Sequence, residues 1–161
     1  MNAYITKIGS ALVLMALICL AACSQPVSTP EDEIRRFIER GIEAAEDRDT
    51  GELMGLVHEQ FAGPRGLSHK TLKSTLQLYF LRHKNIHLFK KIDEIILRGS
   101  NDASVILFVA MAGSVIADAG VLGSLRARIY RFELTLRREQ DWLVKDAAWQ
   151  PATLAELQQT Y

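Results

Sequence analysis

Residues 125–149 read LRARIYRFELTLRREQDWLVKDAAW. Two strands and a turn are written there. From Leu125 to Arg138 the side chains alternate at the period of a β-strand. Arg126, Arg128, Tyr130, Phe132, Leu134 and Leu136 fall on one face; Ala127, Ile129, Arg131, Glu133, Thr135 and Arg137 fall on the other. Glu139-Gln140-Asp141 makes the turn, and Trp142 to Trp149 is the closing strand. Trp142 and Trp149 lie seven apart, on opposite faces of an ideal strand.

Upstream, Ala103–Ala112 (ASVILFVAMA) is apolar on both faces, the pattern of a strand at the centre of a sheet or lining a pocket. Arg98 to Asp102 reads as a hairpin turn after a strand running from Ile86 to Leu97. Before that the period is helical. Thr29 caps and Pro30 opens a first helix to about Glu46, with Ile34, Phe37, Ile38, Ile42 and Ala45 on one face. Asp47-Arg48-Asp49-Thr50 breaks the chain, and a short second helix carries Leu53, Leu56 and Val57 inward. Ser68 caps a third helix with Leu72, Leu76, Tyr79, Phe80 and His83 on one stripe. After Pro151 a short polar helix, Ala152 to Gln159, closes the chain. The fold class is therefore α+β: N-terminal helices packed in a strongly curved antiparallel sheet of about four strands. Phe37, Ile38, Leu76, Phe80, Val105, Leu107, Phe132 and Leu134 are expected to form one cluster between the layers.

This order of elements resembles the nuclear transport factor 2-like superfamily, which includes ketosteroid-isomerase-like and limonene-epoxide-hydrolase-like proteins. The resemblance runs from about Pro30 to Ala152. It is carried by the Asp47–Thr50 break with its short following helix, by the series of long hairpins, and by Arg137 to Val144 as the closing hairpin. It implies a cone with a cavity between sheet and helices, used in different members for catalysis, for ligand binding or for assembly. No residue matches an enzyme motif position of that superfamily. An isomerase would need a carboxylate base in the cavity, and Ala103 to Met111 offers no acid. Asp47-Arg48-Asp49 has the composition of an epoxide-hydrolase set but stands where acids serve as caps.

The N-terminus is a separate matter. Ala11–Ala22 (ALVLMALICLAA) is an apolar run too short to span a bilayer and of the length of a signal-peptide core. It ends in Leu20-Ala21-Ala22-Cys23, which resembles the bacterial lipobox. That resemblance implies cleavage before Cys23 and acylation of its thiol, so residues 1–22 are expected to be a lipoprotein signal peptide, 23–30 the acylated Cys23 with its Ser/Pro/Thr tether, and 31–161 the domain. Ser24, not Asp, follows the cysteine; in a Gram-negative source this points to the outer membrane, with the domain facing the periplasm. Cys19 leaves with the signal and Cys23 is blocked, which excludes cysteine nucleophiles, redox chemistry and thiolate metal sites.

Nineteen Lys and Arg against nineteen Asp and Glu argue against nucleic acid as a partner. No cofactor and no metal is expected; His83 and His87 have helical ligand spacing but lack a third ligand. If the cone holds a working pocket, its polar lining is Tyr79 and His83 from the third helix with Arg128 and Tyr130 from the long strand. These groups suit an anionic or carbonyl-bearing ligand and provide no nucleophile. The alternative is that the rings pad the core with their polar tips in water. The arginines of the long strand read as a solvated strand end or as an anionic-ligand or lipid-headgroup contact at the cavity mouth. The apolar connection Val115–Leu122 reads as a lid, a partner patch or a buried strand edge, with Asp118 as a turn residue. The expected function is a non-catalytic binding or assembly module of the cell envelope, joined to the membrane by its lipid, with an envelope protein or a small hydrophobic ligand as partner. The alternatives are a carrier of a hydrophobic or anionic small ligand and a ketosteroid-isomerase-like enzyme.

Overall fold

The structure, a computed structural model, describes residues 28–116, 118–122 and 127–159. Cys23 with the residues before it, and Arg126, lie outside these residues.

Helix α1 (Pro30–Glu46) starts where its caps dictate. Thr29 accepts from the Asp32 backbone N–H at 3.2 Å, and the Asp32 carboxylate accepts from the Thr29 N–H at 3.2 Å and hydroxyl at 2.8 Å. Ile34, Phe37 and Ile38 are buried on its inner face. Asp47 ends it, Arg48 takes the left-handed conformation with φ 59°, and the Asp49 side chain caps α2 (Thr50–Gly55) by accepting from the Glu52 N–H at 2.9 Å. Asp47 and Asp49 therefore stand as helix caps, and the Asp-Arg-Asp set does not line the cavity between α1, α2 and the sheet.

The sheet contains one more strand than expected. Helix α2 ends at Gly55, earlier than predicted, and Val57 to Ala62 form β1, parallel to the closing strand. The Leu56 carbonyl accepts from the Val144 N–H at 2.9 Å and so clips the chain to that strand before helix can continue. After α3 (His69–Arg82) come β2 (His87–Arg98), β3 (Asp102–Ala112), β4 (Arg128–Arg138) and β5 (Trp142–Ala152), an antiparallel meander, and then α4 (Leu154–Gln159). The sheet order is β1-β5-β4-β3-β2. Pro151 is tolerated inside β5 because only part of that strand has a second neighbour.

Two bulges decide which side chains face the helices. In β2 the register slips between Ile92 and Glu94, so Leu88 and Ile92 share the inner face with Ile95 and Leu97. In β5 it slips at Lys145: Val144 pairs with Leu136 and Asp146 with Thr135. Trp142 and Trp149 consequently stand on the same face, a correction to the ideal-strand expectation. Trp142 is buried, while Trp149 lies against Phe132 with ring centroids 6.0 Å apart and is 39% exposed.

The main core packs Ile34, Phe37, Ile38 and Leu56 onto Ala103, Val105, Leu107, Val109, Leu136 and Trp142. Phe132 and Leu134 pack against it, as expected, but Leu76 and Phe80 do not belong to it. Helix α3 buries no side chain: it leans on α2 and β1 instead of crossing the sheet. A second core lies on the outer face, where Phe108, Ala110 and Ile129 are covered by Leu157 of α4 and by Leu122. The apolar connection is thus a cover for the back of the sheet rather than a lid on the cone. Asp118 accepts from the Gly120 N–H at 2.6 Å, the turn role expected of it.

Two exposed carboxylates are held below their ordinary range by hydrogen bonds: Asp32 by the Thr29 hydroxyl and then its N–H, Glu156 by the Thr153 hydroxyl and then its N–H. A lowered folded-state pKa contributes stability above the unfolded value and loses it as pH falls through the folded value. Acidification should therefore loosen the first turns of α1 and α4 before the sheet. Hydrogen exchange followed by mass spectrometry checks this; simultaneous loss of protection in both turns and in β3 would contradict it.

Candidate functional site

Between α1, α2 and the inner face of the sheet lies a cavity of about 230 Å³. The α1 period supplies Phe37, Ile38, Gly41 and Ile42; α2 and its exit supply Leu53, Leu56 and Val57; the sheet supplies Leu107, Val109, Phe132, Leu134 and Val144. Every lining residue is apolar or glycine. Among the described residues, no acid, histidine or tyrosine lines it.

The polar residues expected at the site collect further along the same face. Tyr79, His83, Asn85 and Arg128 line a separate recess of about 160 Å³ with Ile86, Met111, Ala112 and Gly113. The His83 N–H donates to the Tyr79 carbonyl at 3.0 Å and ends α3, which brings their rings to 4.3 Å. The Tyr79 hydroxyl donates to Met111 Sδ at 3.9 Å. Arg128 is exposed and forms no ion pair among the described residues. Tyr130 is opposite Val109 and so shares the helix-facing side, but it does not line the recess; its ring stands 6.4 Å from Phe132. The structure therefore groups Tyr79, His83 and Arg128 and leaves Tyr130 with the aromatic row Tyr130–Phe132–Trp149. Sequence reasoning missed that row, because the bulge at Lys145 hid the side on which Trp149 stands.

Several other charged groups are paired structurally. Arg131 bonds Glu133 and Arg137 bonds Asp102 at 3.0 Å, both on the outer face. At the other end of the cone, Glu33 accepts from Arg138 at 3.0 Å and from the Trp142 indole N–H at 3.3 Å, with the Arg138 guanidinium 5.7 Å from the indole centroid. Among the described residues, no three His, Cys, Asp or Glu side chains converge as a metal site.

Solved structures with this arrangement of elements are numerous. Bd1075 of Bdellovibrio bacteriovorus superposes over 74% of this chain with TM-score 0.61 and 14% identity, and the chain spans 40% of that protein's length. The chain has the nuclear transport factor 2-like fold. A nuclear transport factor 2-like protein of unknown function from Shewanella oneidensis matches at TM-score 0.55 and 17% identity, over 75% of this chain and 98% of its own. A ketosteroid isomerase-like protein from Erwinia carotovora atroseptica matches at TM-score 0.56 and 12% identity, over 75% and 95%. No protein-family model and no curated protein matches the sequence. At these identities the likeness extends to the nuclear transport factor 2-like fold and not to chemistry.

Proposed function

We propose that this chain is an envelope lipoprotein, anchored through Cys23 to the outer membrane of a Gram-negative cell, whose periplasmic domain is a non-catalytic binding module for a small apolar ligand. The observation that carries the binding reading is the uniformly apolar wall of the cone cavity. Sites of this kind gain affinity from apolar burial and use few polar groups to orient the ligand. The recess that Tyr79 and His83 line from α3 lies next along the sheet from that wall: its Met111 is two residues beyond Val109 on β3 and its Arg128 four residues from Phe132 on β4, about 7–14 Å at strand spacing. Tyr79, His83 and Arg128 suit an acidic or carbonyl end on a ligand long enough to reach them. The isomerase alternative lacks support because its carboxylate base has no counterpart on the wall.

Titration of the purified protein with anilinonaphthalene sulfonate, an apolar ring system with an anionic group, tests the binding reading. Saturable one-site binding to protein that still melts cooperatively is expected, with weaker binding in Arg128→Ala. Absence of saturable binding would overturn it.

The anchor has its own test. Only a thiol accepts the lipid, so Cys23→Ser should abolish incorporation of labelled fatty acid and leave the signal attached. Label retained on the Cys23→Ser protein would end the lipobox reading.

A further inference from the structure

From Gln60 to Ile92 the chain has no Asp or Glu and seven Lys or Arg, so all nineteen acids lie elsewhere. Two of the seven are occupied: Lys90 pairs with Glu39, and Lys91 donates to the Leu157 carbonyl. The other five, Arg65, Lys70, Lys73, Arg82 and Lys84, are exposed and form no ion pair among the described residues. Four of them are on α3 or directly after it. The same helix turns Leu78 and Leu81, three residues apart, to solvent, where they are 49% and 80% exposed. Inward it presents only half-buried side chains. A helix with apolar tips at its outer surface, cations around them and no acid is built for an interface that is apolar inside and anionic at its rim.

We infer that the outer face of α3 docks on an anionic phospholipid surface, with Leu78 and Leu81 entering the headgroup layer and Lys70, Lys73, Arg82 and Lys84 contacting phosphates. The inference rests in part on the lipid-anchor reading. Residues 24–29 between Cys23 and α1 reach at most about 20 Å when extended, which keeps the domain against the bilayer and makes docking effectively intramolecular. A membrane is favoured over an acidic protein partner because the short tether holds the domain beside a bilayer and the exposed cations of α3 match anionic headgroups; Leu81 also borders a recess shared with Asp47, Arg48, Thr50, Gln77 and Phe80.

The test uses the full chain in vesicles of phosphatidylcholine with or without phosphatidylglycerol. Lysine acetylation, read by mass spectrometry, reports contact, with Lys145 on β5 as the internal control. Labelling of Lys70, Lys73 and Lys84 should fall at least about threefold on the anionic vesicles, remain unchanged on the neutral ones, and recover at high salt. Leu78→Ser with Leu81→Ser should remove most of the protection, and both positions are exposed enough to leave the fold intact. Equal labelling on both vesicle types, or protection that spreads to Lys145, would overturn the docking face. Intact mass reports the acyl groups separately. A chain without them refutes the anchor and still reports on α3 through salt-sensitive binding to anionic vesicles alone; an acylated chain with unprotected lysines refutes the docking face and leaves the anchor standing.

Discussion

Leu136→Ala should lower the unfolding free energy by about 2–5 kcal/mol, more than any other single truncation on β4. Leu136 is fully buried, pairs with Ala103 and Val144 across both neighbouring strands, and sits under α1. Removing its isobutyl group leaves a void bounded by three rigid elements, which cannot collapse to fill it. Phe132→Ala makes the informative comparison. Phe132 is the larger side chain, yet it is only half-buried and already borders a cavity, so it has fewer atoms to lose contact with. Its truncation should cost less than that of Leu136. Urea denaturation of the two variants decides the order. The reverse ranking would mean that the cavity beside Phe132 is closed in solution.

That comparison also shows what the sequence can and cannot reveal. The faces of β4 are legible because one strand with clean alternation and no bulge must place Phe132, Leu134 and Leu136 together. The same logic fails at Trp149, because the bulge at Lys145 shifts the parity of β5 and nothing in Leu143–Asp146 announces it. In β2 the adjacent Ile95, Ile96 and Leu97 carry a trace of the slip at Asp93, but a run of apolar residues has no unique face. Strand β1 was hidden for a different reason. It is short, pairs with one neighbour only, and follows a helix whose apolar period leads straight into Val57. Leu76 and Phe80 satisfied a helical stripe, yet periodicity says that a face is apolar and not how deeply the helix is inserted.

The candidate site was legible as a set of residue types but not as a place. Tyr79 stands on the last turn of α3 and His83 caps it, and the bond from the His83 N–H to the Tyr79 carbonyl keeps the two together. Arg128 joins them because β4 begins where α3 ends, a tertiary fact. The wall of the cavity could not be read at all. Its twelve residues come from α1, α2 and four other stretches of chain, and each reads simply as core. The distinction between a filled core and a cavity depends on volume, and volume is set by the one small residue among them.

Gly41→Leu should accordingly stabilise the protein while abolishing ligand binding. Gly41 stands within α1, where glycine is worse than alanine by about 0.8–1.0 kcal/mol and leucine is nearly as good as alanine. Its backbone has an ordinary helical conformation, so no left-handed geometry requires a glycine there. A Cβ at this position meets only Leu56 Cδ1, at 3.7 Å, an ordinary contact. Gly41 lines the 230 Å³ cavity, so a leucine side chain turned inward occupies it, among Ile38, Leu53, Val109 and Phe132. The substitution therefore adds helix propensity and apolar contact and removes the space. The melting temperature should rise by a few degrees and affinity for the apolar probe should fall at least about tenfold, equivalent to about 1.4 kcal/mol. Gly41→Ala separates the two effects, since a methyl group gains the propensity and leaves most of the volume: its stability should rise and its binding should persist. A Gly41→Leu protein that is more stable and binds the probe unchanged would place the ligand outside the cone, and the apolar wall would then be packing and nothing more.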